Sequence, residues 1–497
     1  MRSQQHGSNS TSLGQNRDLR SLTVKCPYIR IHEITNGGPV KFDQYYLDCL
    51  SHASYLIGDE SSKKAVVVDP QRDISGYLEA AADSGLEIVL VIETHFHADF
   101  LSGHLELAAA TGAEICYSSV ADPEFDHRKI AHGEQISLGE VVLEFRHTPG
   151  HTPESMSIVV YETADSAPYG VLTGDTLFIG DVGRPDLLAS IGFTREELAE
   201  KLYDSLHQQL MTLPDETIVF PAHGAGSACG KNLSTELTST IGEQRTANYA
   251  IRASSKEAFM AMVTEGQPPA PSYFVYDAVL NRKERDLLDE TALPPFMNFD
   301  ALSAAIAGGA LLIDGRDPDE FSRGHLKGAI NVGMAGRYAE FAGSIVPSDV
   351  DIVLFTEPGQ ELEAKNRLAR IGFDRVIGVA EKPYDMLTSH SESTQVASRL
   401  TADDFNARVR DIPNLQIVDV RNPGEVAAGT AHDAQTIPVG QIPARLEELD
   451  ASKPTVVFCA GGYRSSVAAS LLRQKGFGDV SDVIGGYTAW LETTQSA

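Results

Sequence analysis

His95, His97 and Asp99 alternate through Thr94-His95-Phe96-His97-Ala98-Asp99-Phe100, directly after an apolar run at 88–92 that reads as a buried strand. Three more polar residues occupy the same kind of position: His151 in Pro149-Gly150-His151, Asp175 in Thr173-Gly174-Asp175, and His223 in Pro221-Ala222-His223. A single histidine is commonly structural. Several imidazoles and carboxylates at strand ends offer the nitrogen and oxygen donors that a divalent transition metal takes. The pattern therefore points to a metal centre on loops held by a rigid sheet.

A second kind of chemistry is written late in the chain. Cys459-Ala460-Gly461-Gly462-Tyr463-Arg464 lies between a strand pattern at 455–458 and a helical pattern at 465–475. Backbone N–H groups freed by the glycines, the helix N-terminus and Arg464 all favour a thiolate, which makes Cys459 a candidate nucleophile.

The elements that must carry these residues are mixed α/β. From 24 to 270, β-rich runs at 65–69, 88–92, 141–145 and 157–161 alternate with helical or loop segments. Gln267-Pro268-Pro269-Ala270-Pro271 and Leu293-Pro294-Pro295 mark the exit from this unit. An internal repeat comes next. Ile313-Asp314-Gly315-Arg316 returns as Val418-Asp419-Val420-Arg421, and Ile371-Gly372-Phe373 returns near Lys475-Gly476-Phe477, about 104 residues later. Strand runs alternating with helices predict a small parallel-sheet domain for each copy, joined by the Ser/Thr-rich stretch 388–398.

Composition narrows the function. The 497 residues exceed what one core supports. With 69 acidic against 40 basic residues, the net charge of -29 repels nucleic acid and anionic membrane surfaces. Five cysteines, an odd number spread along the chain, do not make a disulfide framework and fit a reducing, cytoplasmic setting. Cys26, Cys49 and Cys116 read as small buried thiols. Residues 1–24 contain no apolar run and read as a disordered tail; a transit segment is the lesser alternative, lacking an apolar helix face.

Through His95-Phe96-His97-Ala98-Asp99, His151, Asp175 and His223, the first unit resembles the metallo-β-lactamase superfamily, which implies a four-layer αββα sandwich with metal at one sheet edge. Hydrolytic members of the glyoxalase II type carry a histidine where this chain has Phe100, which cannot coordinate a second ion. His95, His151 and Asp175 remain suited to one ion, as a two-histidine, one-carboxylate face with open positions, the arrangement associated with non-haem Fe(II). The same unit is similar to the persulfide dioxygenases in Cys49-Leu50-Ser51-His52-Ala53-Ser54-Tyr55, Gly174-Asp175-Thr176-Leu177-Phe178, Gly183-Arg184-Pro185-Asp186 and His223-Gly224-Ala225-Gly226-Ser227-Ala228-Cys229-Gly230. That resemblance implies one Fe(II) per chain, with His97, Asp99 and His223 orienting the ligands. Arg184 is a candidate for an anionic part of the substrate, or for an ion pair with Asp186, and Cys229 for the pocket wall.

The last unit resembles a rhodanese domain, through the cysteine loop, Asp419-Val420-Arg421-Asn422-Pro423-Gly424-Glu425 and Gly485-Gly486-Tyr487-Thr488-Ala489-Trp490. This implies sulfur transfer with Cys459 as persulfide carrier and Arg464 in its loop; related phosphatases have a longer loop. The first copy keeps Asp317-Pro318-Asp319-Glu320-Phe321 but has Thr356 and Glu361 where Cys459 and Arg464 stand in the second, so it is expected to be inactive. Expected boundaries are 25–292 for the metal domain, 293–388 for the degenerate rhodanese-like domain and 399–497 for the active one.

The architecture is similar to fused persulfide dioxygenases and sulfurtransferases. It implies oxygenation of a thiol persulfide, on glutathione, coenzyme A or a similar carrier, with O2, sulfite and thiosulfate as partners, and a homo-oligomer is expected. Two rivals stay open: a two-metal thioester hydrolase of the glyoxalase II type, and a sulfur relay in which only Cys459 is active.

Overall fold

The computed structural model describes residues 29–33, 40–187, 192–267 and 269–495. The expected tail at 1–24 and Cys26 lie outside them. Two sheets face each other in the first unit. Strands Ile29–Glu33, Val40–Leu47, His52–Asp59, Lys64–Val68, Glu87–Ile92, Glu114–Ser118 and Arg128–Ile130 pair in chain order, antiparallel up to Lys64–Val68 and parallel from there on. The second sheet runs Ser239–Thr240, Ile218–Pro221, Pro168–Gly174, Met156–Tyr161, Val142–His147, Gln135–Ser137.

Valine- and isoleucine-rich strands suit a sheet buried on both faces. Phe42, Val66, Val68, Ile92, Phe145, Ile158 and Phe220 fill the space between the sheets. On the outer faces, Val67 and Val91 pack on Tyr77, Ala80 and Leu107 of helices Ser75–Asp83 and His104–Thr111, while Val159 and Val171 pack with Leu202 and Phe259 of helices Arg195–Ser205 and Lys256–Thr264. The result is helix, sheet, sheet, helix.

The two repeats share one topology. Phe296–Met297, Val376–Ala380, Ile352–Phe355, Leu311–Asp314 and Ile330–Asn331 form the first parallel sheet; Ser398–Leu400, Val480–Val483, Thr455–Phe458, Gln416–Asp419 and Gln435–Thr436 form the second in the same order. The recurring Asp-x-Arg builds the same buried clip twice. Arg316 binds Asp314 at 2.6 Å and the Gly324 carbonyl at 2.8 Å; Arg421 binds Asp419 at 2.6 Å and the Gly429 carbonyl at 2.7 Å. The stretch 388–398 is more structured than a free linker: Thr394–Gln395 pairs with His325–Leu326 in a two-stranded ribbon.

Candidate metal centre and thiol loop

Strand Glu87–Ile92 delivers Thr94 and His95 to the sheet edge, and Asp69 meets them from the end of Lys64–Val68. Asp69 adopts a left-handed φ of 50°, a costly choice for a residue with a Cβ. It accepts the Thr94 N–H at 2.7 Å and the Thr94 hydroxyl at 2.8 Å. With its proton committed to Asp69, the Thr94 oxygen is left to accept from His95 Nδ1 at 3.0 Å. His151 Nδ1 donates to the Arg184 carbonyl at 2.9 Å and His223 Nδ1 to the Ser51 carbonyl at 3.1 Å. In all three rings the Nε2 lone pair is thereby aimed inward.

The donors of His95, His151 and Asp175 lie within 4.8 Å of one another, all buried. His151 Nε2 is 3.4 Å and His95 Nε2 3.9 Å from Asp175 Oδ2. His95 Nε2 and both Asp175 carboxylate oxygens are buried without a hydrogen-bond partner. Orphaned polar atoms of this kind are costly unless an ion satisfies them, so the donor set fits a single divalent metal. Burial and the neighbouring His97 and His151 lower the pKa of His95, which keeps it neutral as a ligand must be. Gly183 serves the centre by close approach: a Cβ there would fall 1.9 Å from the Asp175 carbonyl oxygen.

A second group adjoins the first. His97, Asp99 and His223 also bring one donor each within 4.8 Å, and His223 Nε2 stands 3.4 Å from both Asp99 Oδ2 and Asp175 Oδ1. His97 Nε2 lies 3.1 Å from Asp69 Oδ1 and 3.6 Å from Glu93 Oε2. Burial lowers its basicity, but Asp69 and Glu93 outweigh that and bring its pKa to about 9. Phe100 is fully buried, with its ring centroid 3.9 Å from that of His52 and 4.4 Å from that of His97.

Cys229 lies beside this pair of groups, its sulfur within 4.8 Å of donors on Asp175 and His223. Burial, together with Asp99 and Asp175, pushes its thiol pKa well up. Arg184 is buried and gripped bidentately by Asp186 at 2.7 and 2.8 Å, while its other arm reaches the Ala228 carbonyl at 3.1 Å. Of the two readings of Arg184, the ion pair is thus the one the side-chain geometry contains.

The Cys459 loop joins strand Thr455–Phe458 to helix Tyr463–Gln474. Cys459 Sγ accepts the Gly462 N–H at 3.1 Å and sits 3.6 Å from Ser465 Oγ. Arg464 pairs with Glu425 at 2.6 and 2.7 Å and also interacts with the Cys459 side chain across the loop. Helix Gly486–Gln495 closes the loop from behind, with Tyr487 N–H donating to the Cys459 carbonyl at 2.6 Å and Thr488 N–H to that of Ala460 at 3.1 Å. A Cβ on Gly486 would come 2.2 Å from the Cys459 oxygen, which explains glycine there. In the first copy Thr356 is buried and Glu361 folds back onto the Gly359 N–H.

Two cavities lead to these places. The larger, about 1040 Å3, is walled by loop residues Ser227 and Ala228, by Arg337 and Glu340 of the first repeat, and by Cys459 and Arg464. The smaller, about 510 Å3, reaches Ala98, Arg184 and Asp186 beside the metal centre. Gln267, Pro269, Ala270 and Pro271 line both.

An αββα sandwich with clustered His and Asp at one edge, followed by two copies of a parallel-sheet domain, defines a class of metal-site protein with sulfurtransferase-type modules. The chain belongs to the metallo-β-lactamase superfamily, whose family model matches residues 47–223, and it carries two rhodanese-like domains, matched at 298–381 and 401–493. A crystal structure of a metallo-β-lactamase from Staphylococcus aureus superposes with a TM-score of 0.63 at 32% identity, covering 69% of this chain and 99% of that one. The persulfide dioxygenase ETHE1 of Bos taurus is 29% identical over 254 residues, 50% of this chain and 90% of the relative. A hydroxyacylglutathione hydrolase of Rhodospirillum rubrum is 30% identical over 277 residues, 55% of this chain and 92% of the relative. Among the described residues, no helix is long and apolar enough to cross a membrane.

Sequence reasoning did not single out Asp69, Glu93, Asn281 or Tyr463. The polar endings of Val66-Val67-Val68-Asp69 and Val91-Ile92-Glu93 carried a signal for the first two. Asn281, bonded to the His97 and Phe100 carbonyls, and Tyr463, whose hydroxyl donates to the Gly333 carbonyl at 2.6 Å in the first repeat, act on segments distant in sequence, where spacing gives none.

Proposed function

We propose that the chain oxygenates a low-molecular-weight thiol persulfide at one Fe(II) held by His95, His151 and Asp175, and moves sulfane sulfur through Cys459, in sulfide detoxification. Residues 25–292 would form the oxygenating domain, 293–388 the inactive repeat and 399–497 the transferase. The observation that carries this is the buried face of orphaned donors on His95 and Asp175, with Phe100 where a second ion would need a further ligand. Bound Fe(II) would supply the redox chemistry that joins O2 to sulfur at open positions. Persulfide, O2 and water give thiol, sulfite and two protons. The Asp99 and His223 pair is placed to hold a proton beside Asp175, and Cys229 to wall the sulfur.

In the transferase, the Cys459 thiolate attacks the outer sulfur of a second persulfide, the S–S bond breaks, and the carrier thiol leaves with the electron pair and a proton. A sulfite lone pair then takes that sulfur, releasing thiosulfate and the Cys459 thiolate. The Gly462 N–H and the helix N-terminus hold the negative sulfur throughout.

His151→Ala should abolish oxygen uptake while thiosulfate:cyanide transfer persists, and Cys459→Ser should do the reverse. Joint loss of both activities in folded variants would refute independent sites. A second reading, thioester hydrolysis, is favoured by the His97, Asp99 and His223 group; two ions per chain with thioester cleavage and no oxygen uptake would establish it.

A further inference from the structure

We propose that the first rhodanese-like unit, which has no thiol of its own, is a clamp on the metal centre. The C-terminal end of its helix Glu361–Ala369, together with Asn281, fixes residues 97–102 and thereby sets the centre's affinity for its ion. The inference rests on His95, His151 and Asp175 being the ligands.

Residues 97–102 contain no regular element, so their buried backbone groups need partners from elsewhere. Ser102 bridges to Gln71 within the sandwich, and the other partners come from segments that follow it. The Leu101 N–H donates to the Arg370 carbonyl at 2.7 Å, at the end of helix Glu361–Ala369. Asn281, fully buried, uses Nδ2 to hold the His97 and Phe100 carbonyls at 2.8 Å each, and its Oδ1 accepts the Ser102 N–H at 2.9 Å. The Tyr273 hydroxyl donates to the Asp99 carbonyl at 3.3 Å.

The helix end is itself anchored to the sandwich. Arg370 binds Asp73 bidentately at 3.0 and 2.6 Å and places Nη1 3.8 Å from Cys49 Sγ. Arg72 crosses in the other direction, to Asp374 at 2.5 Å and the Ala369 carbonyl at 3.1 Å. Breaking one partner of a buried pair leaves an uncompensated charge, so this contact is stiff. A loop between His95 and helix His104–Thr111 that is held by five hydrogen bonds from Arg370, Asn281 and Tyr273 arrives pre-organised, and outer-shell support of this kind typically governs metal affinity by 10–100-fold.

The test uses the full chain, with Fe(II) titrated against a chelator and Co(II) as a spectroscopic probe. Asn281→Ala and Arg370→Ala should each bind Fe(II) about 10–100-fold more weakly and shift the Co(II) visible band, with thiosulfate:cyanide transfer unchanged. Arg370→Lys, which can keep the Asp73 pair, should recover part of the affinity. Lys365→Ala, which removes an exposed contact of the same helix to the Asp289 and Ala292 carbonyls, should bind like wild type. Wild-type affinity in both Asn281→Ala and Arg370→Ala overturns the clamp. Wild-type affinity in His95→Ala would instead overturn the ligand assignment. Should Arg370→Ala be insoluble, Asn281→Ala decides, and rapid amide exchange of Leu101 and Ser102 in the unaltered protein would also overturn the proposal.

Discussion

Phe100 shows how one side chain can narrow a metal site. Its ring fills the space between His52 and His97, so the loop gains packing where it loses a donor. Phe100→Ala should cost about 3–5 kcal/mol through the cavity left behind, read as a lower unfolding midpoint of the metal domain. A variant as stable as wild type would show that the ring is not part of the loop's support. That the six His and Asp side chains come together was signalled in the sequence because their motifs sit on short loops beside or after apolar runs. Which nitrogen faces inward was not, since that depends on carbonyls of Ser51 and Arg184, distant in sequence.

At the level of elements, the cysteine loop depends on a helix that starts nearly thirty residues later. Gly486 lets that helix approach within contact of the Cys459 carbonyl. Gly486→Ala should therefore displace the loop and lower thiosulfate:cyanide transfer at least tenfold, a shift of about 1.4 kcal/mol in the barrier, while oxygen uptake is unchanged; equal transfer rates would contradict this. The strand, loop and helix around Cys459 were readable from local pattern, and the repeat revealed the twin domain. The pairing of Arg464 with Glu425 was not readable, because a Cys-to-Arg spacing says nothing about what the guanidinium faces. Nor did the Ser/Thr-rich composition of 388–398 disclose its ribbon with His325–Leu326, which is a tertiary pairing.

For the whole molecule, buried charge joins the sandwich to the segment that leads into the first repeat. Glu106 lies between Arg285, at 2.6 and 3.0 Å, and Arg72, at 2.8 Å. Burial alone would raise its pKa, but the two guanidiniums prevail and hold it at about 2, below the ordinary 4.5. A depressed carboxylate pKa stabilises the fold above the unfolded value, and that stabilisation, on the order of 3 kcal/mol, fades as pH falls from about 4.5 towards 2. Thermal unfolding midpoints should drop across that window, and Glu106→Gln, already weakened at pH 7, should drop less. An identical slope in the two proteins would remove Glu106 from the account.

Gln267, Pro269, Ala270 and Pro271 line one cavity on the side of Ala98 and Arg184 and another on the side of Cys459. Such a party wall makes the two rooms mechanically interdependent: a bulky guest lodged in either one presses on the partition of the other, and a single wedge there would silence both neighbours.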